Sequence, residues 1–390
     1  MKKSTDIEHI FMELATGSEG LAQGCIRDES LALWRCPPLK EGDDLIAVWE
    51  AVWEPLRLFF GEHGYTLWQH DIGHILTPLE DNEDLLLRHN GGFAYVTAHR
   101  GVDSPTGSLE ELLTFERLNP LCRPARTAGG VDVVIRVLAI GEQGNEHVEI
   151  LRTVSTGPCA FYNNNHSIPV MNFLQFQDIT FGIFPKVGFR VEDAYRYWAN
   201  NSVGDVLDMI LQCLEALTFI HSINIAHRDA FKDNFLVQWH PESMTAGHMP
   251  WSRPRVFLTD FEVAVMFPKD APSEQCRISG YPIGGSYPDD VKQYSRAVPP
   301  EVTSGDLYDP FKLDTWQLGT SLKDLKTTFV EIDKVLEDMR TPDAASRPSS
   351  FQALSRLSRG MAGLPPKALR IEPEVDRSFL FGVAERGIPT

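Results

Sequence analysis

Between positions 43 and 64 the apolar side chains fall at Leu45, Val48, Trp49, Val52, Trp53, Leu56, Phe59 and Phe60, a spacing that gathers them on one helical face. Asp43 and Asp44 precede the run and glycines follow it, so the pattern predicts one packed helix with both tryptophans as core anchors. From about Val133 the texture changes to short β-branched runs. Val133 to Leu138 and Ile179 to Phe184 predict strands, and Asn145 to Ser155 between them predicts a helix.

Val206, Leu207, Ile210, Cys213, Leu214, Leu217 and Ile220 repeat at helical spacing behind Asn201 and Ser202, which predicts a long buried helix over Val203 to Ser222 with a polar cap. Phe235 to Trp239 and Val256 to Thr259 predict two strands of an extended hairpin, and the chain from Leu313 onward is mainly helical. The Gly- and Pro-rich stretch from Ser279 to Pro300 is a long loop of the kind that carries function. Strands first and helices afterwards predict an α+β fold of two lobes with a cleft between them.

Charge narrows the partners. Among 390 residues, 36 Lys and Arg face 54 Asp and Glu, a formal net charge of −18, with no dense basic cluster to attract a polyanion. Nucleic acid and anionic membranes are therefore not expected as partners. The polar, charged start from Met1 to Glu8 is unlike a secretory leader, and no apolar run matches the roughly 20 residues of a membrane span. An intracellular, cytoplasmic or nuclear location is expected. Cys25, Cys36, Cys122, Cys159, Cys213 and Cys276 are too scattered for a zinc site or a disulfide framework, and Cys213 reads as a small core residue.

The chemistry concentrates after the long helix, in His227-Arg228-Asp229-Ala230-Phe231-Lys232-Asp233-Asn234. Downstream come Asp260-Phe261-Glu262 after a strand, Pro299-Pro300-Glu301, Asp314-Thr315-Trp316-Gln317-Leu318-Gly319 at a helix start, and Arg347-Pro348. In this order they resemble the catalytic loop, metal-binding Asp-Phe-Gly, Ala-Pro-Glu, Asp-x-Trp-x-x-Gly and late Arg of the protein kinase superfamily. With Val133-Val134-Ile135-Arg136, the whole also looks like the divergent kinase-like domains abundant in fungi. The resemblance covers roughly Arg126 to Leu357.

It implies a two-lobed kinase-like fold with a small β-rich N-lobe, a mainly helical C-lobe and an N-terminal helical extension. The expected division is 1–125 extension, partly packed on or contributing to the N-lobe, 126–188 N-lobe, 189–360 C-lobe and 361–390 tail. By the same resemblance, Asp229 orients or accepts the proton of a substrate hydroxyl, and Asn234 and Asp260 hold Mg²⁺ or Mn²⁺. Arg136 clamps ATP phosphates where the family has lysine. Asp314 tethers the catalytic-loop backbone, Glu301 pairs with Arg347, and Arg228 can meet a phosphorylated residue of the activation segment. Ser273, Ser279, Tyr281, Ser286, Tyr287 and Ser295 are candidates for that phosphate.

Several positions depart from the family pattern. The residues from Phe115 to Cys122 lack a Gly-rich phosphate loop, and Asn90-Gly91-Gly92-Phe93 lies too far upstream to replace it. Phe231 stands where serine/threonine kinases carry lysine, with Lys232 one place later as the candidate phosphate contact. The helix partner of Arg136 falls on His147 in an ungapped match, with Glu146 and Glu149 adjacent; Glu149 is taken as a nucleotide-site residue. Glu262 replaces a glycine and is expected to point to solvent or to pair with an arginine, or else to alter metal preference. The expected function is phosphoryl transfer from ATP to a Ser/Thr hydroxyl of a protein substrate. The alternatives are a catalytically impaired pseudokinase acting as a binding or scaffold module, and another nucleotidyl or small-molecule transfer on the same fold.

Overall fold

The structure, a computed structural model, describes residues 30–40, 42–71, 73, 75–78, 115–116, 119–187, 189–192, 202–238, 254–286, 294–371 and 374–375. Cys25, the Asn90-Gly91-Gly92-Phe93 stretch, the loop 239–253, Tyr287 and the chain beyond 375 lie outside the described residues.

A short helix absent from the sequence expectation, α1 (Leu31–Arg35), starts on Ser30, whose hydroxyl accepts the Leu33 N–H at 3.2 Å. Helix α2 (Leu45–Trp53) starts the same way, Asp44 accepting from Ile46 N–H at 2.9 Å. The single helix expected over 43–64 is interrupted. Glu54–Leu56 tightens into a 3₁₀ turn before α3 (Arg57–Glu62), because Pro55 lacks the N–H that would continue the i→i−4 ladder. Trp49 and Trp53 are buried, and the Trp53 indole donates to the Pro120 carbonyl at 2.8 Å.

These helices cover one face of a five-stranded antiparallel sheet made of β1 (Tyr65–Leu67), β2 (Cys122–Thr127), β3 (Asp132–Ile140), β4 (Asn172–Phe176) and β5 (Ile179–Pro185). The strand order is β1-β2-β3-β5-β4. The expected boundary at 125/126 falls inside β2, since β1 and β2 pair into the same sheet as the β-branched strands. Strand periodicity sorts β3: Val133, Ile135 and Val137 join Trp34, Trp53, Phe60 and Phe181 in one core, while Leu138 joins a second core on the opposite face. Arg136 shares that opposite parity and so emerges beside the second core.

Between β3 and β4 lies α4 (Asn145–Ser155), entered through Gly144 at φ 91°. Val148, Ile150, Leu151 and Val154 carry the second core across to α5 (Val203–Ser222), which Ser202 caps and in which Cys213 is fully buried. Burial pushes the Cys213 thiol well above its ordinary range, as expected of a core residue. The hairpin β6 (Phe235–Gln238) and β7 (Arg255–Leu258) packs against α5. Helices α6 (Pro310–Ser321), α7 (Val330–Met339) and α8 (Ser350–Ala362) complete the second core. The architecture is mixed α+β. Among the described residues, no helix is long and apolar enough to cross a membrane.

Candidate functional site

The segment linking α5 to β6 carries a dense polar network, and α6 holds it in place. Asp314, Gln317 and Ser321 fall at i, i+3 and i+7 and so share one helix face. The fully buried Asp314 carboxylate accepts the backbone N–H groups of His227 at 2.8 Å and Arg228 at 2.6 Å, and meets His221 Nε2 at 2.9 Å. Gln317 accepts from Ala230 N–H at 2.9 Å and donates to the Arg228 carbonyl at 2.6 Å, while Ser321 accepts from Lys232 N–H at 3.1 Å. His227 bonds the Thr259 carbonyl at 2.9 Å and stacks edge-on against Phe261. Side chains of one helix thus fix the loop backbone where strand or helix ladders do not reach.

That support sustains unfavourable backbone. Arg228 and Asp260 both sit at φ 66°, a region costly for non-glycine residues and found where surrounding contacts over-determine the conformation. Asn234 Nδ2 donates to the Asp229 carbonyl at 2.7 Å and to Asp229 Oδ2 at 2.8 Å, and the Thr259 N–H donates to the Asn234 carbonyl at 3.0 Å. Asp229, Asn234 and Asp260 are therefore brought together on two joined loops. Burial raises Asp229 above the ordinary carboxylate range, although Arg296 and His227 pull the other way.

Arg136 closes the site from β3. Its Nη2 lies 2.7 Å from Asp260 Oδ1 and 2.5 Å from Glu262 Oε2. Burial alone would raise the Asp260 pKa, but the Arg136 charge outweighs it and holds the carboxyl well below its usual range. Neither helix glutamate reaches Arg136: Glu146 and Glu149 are exposed, and His147 turns inward instead. Two residues turn a side chain about 200° around a helix, which separates the exposed Glu149 face from the buried His147 face. Burial, reinforced by the Arg136 charge, lowers His147 to about 3, so it is neutral at ordinary pH.

Glu262 is the carboxylate the sequence reading undervalued. It is not solvent-facing. Its Oε1 accepts from Arg35 Nη1 at 2.9 Å, Ser286 N–H at 2.9 Å and Ser286 Oγ at 2.6 Å, while Oε2 takes Arg136. Its expected pairing with an arginine is thus realised twice, once from β3 and once from α1.

Lys232 does not join the cluster. Its ammonium lies 2.8 Å from Asp324 and 3.7 Å from Glu192, so its charge is balanced away from Asp229. Arg228 donates to the carbonyls of Tyr281 at 2.8 Å and Val263 at 3.3 Å, bracing the segment after Asp260. Glu301 and the buried Arg347 form an ion pair at 2.7 Å, and Arg347 also donates to the carbonyls of Lys312, Thr341 and Pro342. Two residues that the sequence reading passed over complete the centre. The Tyr294 hydroxyl donates to Asp229 Oδ1 at 2.9 Å, and Arg296 forms a two-pronged pair with Asp233 at 2.9 Å while lying 3.5 Å from Asp229. Their signal was proximity in the fold, since neither belongs to a motif.

Among the described residues, no group of three or more His, Cys, Asp or Glu side chains is placed to hold a metal ion by itself. Asn234 and Asp260 nevertheless supply two oxygen-bearing side chains on adjoining loops, with Asp260 Oδ1 paired to Arg136 at 2.7 Å. That donor set suits a hard cation such as Mg²⁺, which takes one or two carboxylates and completes its shell with water and phosphate oxygens. No family model matches the chain, and no curated protein matches it.

Proposed function

We propose that the chain is a kinase-like phosphotransferase that moves a phosphoryl group from ATP to a protein hydroxyl in a cleft between a β-rich and a helical lobe. The observation that carries this reading is the joined set Asp229, Asn234 and Asp260, held by the buried Asp314 through the backbone of His227 and Arg228. Placement of Arg136 on β3 of an antiparallel sheet, with α4 next in the chain, adds support. Asn234 and Asp260 would hold the divalent cation, whose charge offsets that of the phosphates when bound. Asp229 orients the acceptor hydroxyl and accepts its proton. Arg136 supplies a planar donor fork for phosphate oxygens once it leaves Asp260. Lys232 is paired with Asp324 and Glu192.

A pseudokinase reading draws on a specific observation as well: Arg136 spans Asp260 and Glu262, occupying with a fixed cation the carboxylate a metal would need. Calorimetric titration of ATP with and without Mg²⁺ tests the phosphotransferase reading. Metal-dependent binding in the wild type that Asp260→Asn abolishes is expected, whereas equal affinity in both proteins would refute the metal role.

A further inference from the structure

Arg35 ends α1, and the helix that carries it is firmly seated. Trp34 is buried, its ring 5.7 Å from that of Trp53 and 6.4 Å from that of Phe181. Leu31 is buried as well, and its N–H donates to Gln143 Oε1 at 2.9 Å in the turn between β3 and α4. From this fixed base Arg35 Nη1 donates to Glu262 Oε1 at 2.9 Å and to Ser286 Oγ at 2.7 Å, and Ser286 donates its N–H and its hydroxyl to the same Glu262 oxygen. The two oxygens of Glu262 therefore divide: Oε1 takes Arg35 and Ser286, and Oε2 takes Arg136.

The charges divide too. Arg35 and Arg136 face Asp260 and Glu262, two positive charges against two negative. The side chains of Arg136 and Glu262 are only 10% and 6% exposed, so water screens their attraction little. Asp260 is the carboxylate proposed to hold a cation, which leaves Glu262 as the partner that Arg136 keeps. While Arg35 shares that carboxylate, one negative charge is spread over two guanidiniums and Arg136 retains attraction for phosphate oxygens. Without Arg35, Glu262 would neutralise Arg136 alone. We propose that Arg35 is a positioning residue for the nucleotide phosphates: it fixes Glu262 and shares its charge, and so holds the Arg136 guanidinium in place and electropositive. The inference rests on the phosphotransferase reading and gives α1 a part in it. Phe115 to Cys122 offers no glycine-rich backbone to cradle phosphates, and two arginines linked through one carboxylate supply fixed charge there instead.

Calorimetric titration of the full chain with ATP and Mg²⁺, and separately with adenosine, tests this, because adenosine has the base and sugar but no phosphate. Arg35→Gln should weaken ATP by about tenfold or more, as for loss of a group that orients a working side chain, and leave adenosine unchanged. Arg35→Lys, which keeps the charge, should recover most of the ATP affinity. In an Arg136→Gln background Arg35→Gln should add nothing further, since both act through one guanidinium. That background decides alone if adenosine binds too weakly to titrate. Ser286→Ala removes the hydroxyl that Arg35 and Glu262 share; it should show the same ATP-selective loss at smaller size, and it carries the test if Arg35→Gln does not fold. Equal losses for ATP and adenosine would reduce Arg35 to a support of the fold. Unchanged ATP affinity, or losses that add to those of Arg136→Gln, would equally overturn the inference, and each of these outcomes leaves the phosphotransferase reading standing. A wild type that does not bind ATP with Mg²⁺ overturns both.

Discussion

Single residues at the centre are held in ionisation states that their surroundings, not their types, determine. His147 is the clearest case, because its neutral ring is buried against Arg136, Asp260 and His227. Its folded value of about 3 lies below the ordinary 6.5, so the unfolded chain binds the proton more tightly. Stability is then complete above the unfolded value and falls as pH drops towards the folded one. Between about pH 7 and about pH 5 the expected loss from His147 is about 2 kcal/mol by urea titration. His147→Asn should flatten the slope in part; His166, also lowered chiefly by burial, accounts for a remainder of the same sign. An unchanged slope would show that His147 is not buried neutral.

Asp229 titrates in the opposite sense. Burial raises its carboxyl and the Arg296 charge lowers it, and in the role of base proposed for it Asp229 must be ionised. The proposed transfer should fade as pH falls through a value raised from that of an ordinary aspartate. Arg296→Gln should move that acid limb to higher pH in a kcat profile, and a limb that stays in place would remove Arg296 from the electrostatics of Asp229. The tether of Asp314 to the loop backbone and the Glu301–Arg347 contact were expected from motif spacing, and both contacts are formed. The partner of Arg136 was not. It comes from Glu262, distant in sequence, because the helix turns His147 inward and leaves Glu149 outside.

At the level of elements, periodicity located the long helices and strands because each buries a continuous apolar face. α5 and α4 fall on the expected residues, and β3, β5, β6 and β7 fall within a residue or two of them. What it missed has physical reasons. β2 reads Cys-Arg-Pro-Ala-Arg-Thr, with a proline and two arginines that hide a strand, yet Arg126 is neutralised by Asp132 and Arg123 by Glu50. α1 has only five residues, too few for a periodic signal. Gly144, which opens α4 at φ 91°, is required twice over: a Cβ there would lie 2.1 Å from the Leu138 carbonyl and 2.9 Å from Leu31. Gly144→Ala should cost at least about 2 kcal/mol in thermal or urea unfolding. A neutral outcome would contradict the fit between α1, β3 and α4.

Across the whole molecule, one carboxylate joins three distant parts of the chain. Glu262 gathers Arg35 from α1, Arg136 from β3 and Ser286 from the segment after Asp260, and Gln143 adds bonds to Leu31 N–H and the Gly285 carbonyl. Removing one partner of a buried pair leaves the other charge uncompensated. Glu262→Gln is thus expected to lower stability by roughly 2–4 kcal/mol and to speed limited proteolysis around Ser286. Equal cleavage rates in the two proteins would dissolve the link between α1 and that segment. The sequence offered an arginine partner for Glu262 without saying which, since the charges that meet in one buried place lie more than 100 positions apart.

The measurement that bears most directly on the central claim is intact mass after incubation with ATP and either Mg²⁺ or Mn²⁺, with Asp229→Asn beside the wild type. A phosphoryl increment in the wild type that is absent from the variant is the result the geometry of Asp229, Asn234 and Asp260 predicts. An increment that persists in Asp229→Asn, or its absence from both proteins, would contradict it.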